Sequence, residues 1–144
     1  MVQLDYYSPW YHKLPEWHTI AGLFLALLWL LVLLRLVTVK PEFTNNYSAT
    51  EKSMALWVKR LFYISVVVMV LTGYLIVTAG GDELLLFDSL KIPAISHFSV
   101  TQIDNLGLIH EYTSYSIMVL LGLHILAALK HHFIDKDETL KRML

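Results

Sequence analysis

The sequence predicts an all-α membrane protein, a bundle of transmembrane helices forming a single domain over residues 1–144. Three observations carry this. Of the 144 residues 56% are hydrophobic, and they are bunched into runs too long for a soluble core of this size, close to the ~20 residues a helix needs to cross the hydrocarbon layer. The formal net charge is -1, neither basic enough for nucleic acid nor acidic enough for a solvated tail. Cysteine is absent, which excludes disulfides, thiolate-held iron–sulfur clusters and the Cys-x-x-Cys-His attachment of c-type haem. Any cofactor is therefore held by nitrogen or oxygen ligands.

Residues 1–18, MVQLDYYSPWYHKLPEWH, are aromatic and polar, and Pro9 and Pro15 predict that no long helix forms here. Tyr6, Tyr7, Trp10, Tyr11 and Trp17 are side chains favoured where lipid meets water. With no basic region typical of a signal peptide, the segment reads as an interfacial lead-in. Residues 19–38 form the first span. Only Arg35 interrupts it, near enough to the end to snorkel to the headgroups. A polar connection over 39–56 follows, with Pro41 stopping the helix and Asn45, Asn46 and Ser48 favouring turns. The second span, 61–78, contains no histidine and is ended by Gly80 and Gly81. Residues 82–105, with Pro93, are long for a plain loop and predict a structured cap on the membrane surface. The third span covers 106–129.

Basic residues accumulate on the cytoplasmic side of a membrane protein. One side of this layout carries Lys40, Lys52, Lys59, Arg60, Lys130, Lys136, Lys141 and Arg142, and the other only Lys13 and Lys91. The N-terminus is therefore expected outside and the C-terminus in the cytoplasm. Three spans, an exported N-terminus and no export signal together suggest that a preceding span has been left out.

The third span organises the rest. His110 lies near its start and His124 well inside its apolar half; fourteen residues of ideal helix turn through ~1400° and rise ~21 Å, so both imidazoles lean to one side at two depths. Ionisable groups inside a span are costly and usually face a partner in the bundle. His18 opens the first span at the same outer level as His110. Two imidazoles at one depth on different helices can face each other across an iron porphyrin, and bis-imidazole ligation keeps the iron six-coordinate for electron transfer. Gly22, one turn below His18, leaves room for the flat face. The competing reading makes both histidines ordinary interfacial polar groups.

His124 needs a partner near the inner end of another span, where only Arg35 stands, so any inner haem lacks one ligand. His131 and His132 are neighbours that cannot point the same way on a helix; His12 and His97 read as exposed loop residues. His110-Glu111 begins a zinc-protease pattern that Ser114 breaks.

The third span and tail, with His110, then GLH ending at His124, then ALKHHFIDKDETLKRML, resemble the bacterial cytochrome b561 family of membrane di-haem proteins, which is related to the cytochrome b subunits of nickel hydrogenases. The lead-in DYYSPWYHKLPEWHTIAG, with His18 and Gly22, resembles the start of that family's second span, so the likeness covers essentially the whole chain. It implies a four-helix bundle of which three spans are present, the absent first span carrying the remaining ligand. By this resemblance His18 and His110 would ligate an outer haem b, and His124 an inner one with an incomplete ligand set. Some relatives pass electrons between superoxide or another outer donor and membrane quinone, which would place a quinone near the inner end, with His131 the first position to test. Arg35 and Lys130 are placed by charge and depth to pair with propionates.

The expectation is thus a b-type cytochrome of the bacterial inner membrane that carries electrons across the bilayer, embedded in lipid, with no nucleic-acid partner. Its haem would be exposed on one flank, weakly retained or covered by another copy. The rival readings are a haem-free membrane scaffold, a zinc or copper site between His18 and His110, and a non-functional fragment.

Overall fold

A computed structural model describes residues 5–38, 48–86, 90–134 and 136. It contains three long helices, α1 (Trp10–Thr38), α2 (Ala49–Val77) and α3 (Val100–Phe133), with a small hairpin between the last two. All three helices are long and apolar enough to cross a membrane, and a chain in hydrocarbon must satisfy its backbone groups internally, which a helix does.

Every helix outruns its hydrophobic segment. α1 begins at Trp10 and continues through Pro15, so the lead-in is helical where its two prolines argue against a helix. The reason is positional. The Trp10 N–H donates to Ser8 Oγ at 3.3 Å and the Tyr11 N–H to the Ser8 carbonyl at 3.0 Å, so Pro9 falls in the first turn, where a missing N–H is harmless. Pro15 forfeits one further donor near the polar end of the helix, a small loss against a run of 29 residues. α2 begins at Ala49, well before the end of the polar connection read from the sequence. Ser48 and Glu51 form a reciprocal capping box: the Glu51 N–H donates to Ser48 Oγ at 3.2 Å and the Ser48 N–H to Glu51 Oε2 at 2.9 Å. α3 starts at Val100, six residues before the predicted span, behind a Ser99–Gln102 box, and it ends four residues later than predicted. Pro41, Asn45 and Asn46 lie outside the described residues.

The connection between α2 and α3 is structured, as its length suggested. β1 (Leu84–Leu86) and β2 (Leu90–Ile92) pair antiparallel, with Leu84 opposite Ile92 and Leu85 opposite Lys91. Lys91 and Glu83 form an ion pair. The segment is tied to the end of α2 by the Tyr74 hydroxyl donating to the Pro93 carbonyl and by the Phe98 N–H donating to the Ala79 carbonyl at 3.1 Å. Gly81 has φ +86°, and the His97 ring lies directly where a side chain at that position would stand.

α2 is the middle of the bundle: it packs extensively on α3 and more sparingly on α1. Among the described residues the buried ones are all small: Thr78 and Ala79 just past the end of α2, and Thr72 and Ala128 within α2 and α3, the last two as expected where membrane helices gain by close backbone approach rather than by hiding oil from water. Large apolar side chains such as Phe24, Leu25, Leu71, Met118 and Leu126 are exposed, which suits a surface solvated by lipid.

Candidate haem-binding site

His18 stands on α1 eight residues from its start, and His110 on α3 ten residues from its start. The structure brings them together, with ring centroids 6.0 Å apart and planes at 72°. The spacing leaves room for a shared metal ion. With a metal–nitrogen bond of about 2.0 Å and about 1.2 Å from nitrogen to ring centre, two imidazoles on opposite sides of one metal ion centre about 6.4 Å apart. Edge-to-face ring packing gives similar separations, about 4.5–7 Å, as Phe62 and His124 show at 6.2 Å, so the distance is compatible with a shared metal ion and does not by itself require one. The 72° angle is open to two rings that both stand upright on one flat macrocycle, turned relative to each other.

α2 supplies what holds one of these rings. Thr72 Oγ1 lies 2.9 Å from His110 Nδ1, and the Met69 carbonyl also interacts with that imidazole. Gly73 is the floor beneath it: a Cβ there would sit 3.3 Å from His110 Cε1. Thr72 is only 6% exposed, while His18 is exposed and His110 half-buried. Gly22, and Gly107 one turn before His110, face open space where a side chain would project. Neither glycine would therefore obstruct a flat group brought close to its helix. Two imidazoles brought together from different helices, one with its Nδ1 anchored from behind, are a donor set that fits a haem.

A zinc or copper centre fits less well. Such sites use three or four protein ligands, and among the described residues no group of three His, Cys, Asp or Glu side chains converges. The neighbouring Glu111 carboxylate is engaged elsewhere, accepting from the Tyr115 hydroxyl at 2.9 Å.

His124 lies at the other depth and meets no second histidine among the described residues. Its ring meets Phe62 of α2 edge-on, with centroids 6.2 Å apart. Nearby, Trp29 of α1 packs against Tyr63 at 6.1 Å, and its buried indole N–H has no hydrogen-bond partner among the described residues. Arg35 is in the last turn of α1. Lys130, His131 and His132 are in the last turn of α3, with Lys130 and His131 acting electrostatically on Glu51 at the start of α2. These residues gather at the end of the bundle away from the hairpin. His12 belongs to α1 rather than to a loop, and its side chain lies outside the described residues; His97 is in the connection and exposed, packed over Gly81.

Thr72, Gly73 and Met69 carried no sequence signal as site residues. A hydroxyl in a span ordinarily bonds its own helix, as Thr72 also does, and its partner is 38 residues away.

Over residues 1–144 the chain matches the family model described as prokaryotic cytochrome b561. It is 39% identical over 145 residues to cytochrome b561 homolog 2 of Escherichia coli (strain K12), an alignment covering 100% of this chain and 77% of that protein. It is also 28% identical over 138 residues to the probable superoxide oxidase CybB of Yersinia pestis, covering 96% of this chain and 77% of the relative.

Proposed function

The chain belongs to the prokaryotic cytochrome b561 family, a membrane cytochrome, and from that premise we propose that His18 and His110 hold a haem b through which electrons enter or leave. The observation that carries this is that two histidines from different helices meet at one depth, with rings 6.0 Å apart, and that one of them is held through its Nδ1 by Thr72. When bound, the haem supplies one-electron redox chemistry, and two imidazole ligands keep its iron closed to oxygen. The chain's own work is ligation, burial and spacing. His18 of α1 and His110 of α3 would hold the group, and α2 fixes the His110 ring through Thr72 and Gly73.

His124 offers one ligand for a second, inner haem whose other ligand comes from outside the described residues. At ~21 Å below His110 on the same helix, it extends the route toward the opposite membrane face. There Arg35 and Lys130 pair with propionates, and His131 marks the quinone end. The donor in this reading is superoxide or another small outer reductant, which the name of the Yersinia pestis relative supports. The setting is the bacterial inner membrane, with the N-terminus outside and the C-terminus in the cytoplasm.

The test is a pyridine haemochromogen spectrum of the purified protein and of H18A and H110A. A b-type band in the parent and a fall in haem per protein in both variants is the expected outcome. A folded parent without that band overturns the reading, and stoichiometric zinc or copper with little iron replaces it with the metal-site alternative.

A further inference from the structure

We infer that Thr72 is a positioning residue for the His110 ligand, and that it sets which ring nitrogen faces the metal and how strongly that nitrogen donates. The inference rests on the reading of His18 and His110 as axial ligands. A threonine hydroxyl has one proton to give. Thr72 Oγ1 lies 2.7 Å from the Val68 carbonyl and 3.2 Å from the Met69 carbonyl, acceptors with no proton of their own, so its proton is committed to its own helix. Toward His110 Nδ1, at 2.9 Å, the oxygen can then only accept. Nδ1 must carry the ring proton, and Nε2 keeps the lone pair that a metal requires.

The Met69 carbonyl also interacts with the ring, and a carbonyl likewise calls for a donor. Gly73 closes the other degree of freedom, since its missing side chain lets Cε1 settle onto α2. The imidazole is thus held along its Nδ1–Cε1 edge by a helix that contributes no ligand.

An acceptor behind Nδ1–H draws that proton outward and makes Nε2 a stronger donor. A stronger donor favours the oxidised, more positively charged iron. Removing the hydroxyl therefore moves the midpoint potential in the positive direction.

The experiment compares the parent, T72V and T72S in the haem-loaded, detergent-solubilised protein. Three readouts are taken: haem-to-protein ratio, midpoint potential by spectroelectrochemical titration, and the low-spin ferric electron paramagnetic resonance signal. Valine keeps the shape and deletes the oxygen; serine restores the oxygen. The expected result is a positive shift of potential and displaced g values in T72V, both returning toward the parent in T72S. Potentials and g values unchanged in T72V overturn the inference while leaving the histidine pair as ligands. Loss of haem from T72V and T72S alike assigns the position to packing and also overturns it. Haem loss from T72V alone, with T72S loaded and parent-like, supports it. A parent with no haem removes both this inference and the reading beneath it.

Discussion

A methyl group added at Gly73 would stand 3.3 Å from Cε1 of His110, close enough that the ring must give by a few tenths of an ångström. G73A is therefore expected to keep haem but shift its absorption maximum and weaken its retention, read as haem per protein after prolonged dialysis. Gly81 is held more tightly, by its φ of +86° and by the His97 ring over it. An alanine there meets both obstacles. G81A should lower stability in a detergent unfolding titration by a few kcal/mol, and the double variant G81A/H97A should recover the steric part. About 1–2 kcal/mol of left-handed backbone cost should remain. That His18 and His110 approach each other was legible in the sequence, where each opens a span at the same outer level. Thr72 was not, because a hydroxyl that serves its own helix shows no outward sign of serving another.

Hydropathy located all three helices but misplaced their ends, since it follows oil and not backbone hydrogen bonds. The boxes Ser48–Glu51 and Ser99–Gln102 decide where α2 and α3 begin, and both obey a spacing readable from the residues. S48A should cost about 1 kcal/mol, the usual worth of an N-cap side chain. E51Q should cost less, because glutamine can complete the same box; thermal unfolding in one detergent ranks the two. The hairpin was foreseen only as structure of some kind, because three-residue strands leave too short an alternation to read.

At the scale of the bundle, helices apolar on every side give no indication of which face packs, so the central place of α2 could not be deduced from the chain. Its two neighbours are unequally attached: α3 lies extensively along α2, and α1 more sparingly, with the His18–His110 approach joining α1 to α3. Haem held between those rings would fasten α1 to the rest. Hydrogen–deuterium exchange of haem-depleted and loaded protein should therefore differ most along α1 and least along the α2–α3 pair; equal protection in both forms would contradict this. H124A should leave the spectrum and potential of the His18–His110 haem as they are, since ~21 Å of helix separates the two positions.

This unequal attachment makes prosthetic-group supply a determinant of lifetime. In a membrane short of iron porphyrin, the first helix has the weakest hold on its neighbours, and a protease that samples loosened segments would clear the unloaded protein first. Abundance would then track loading, with no separate sensor needed.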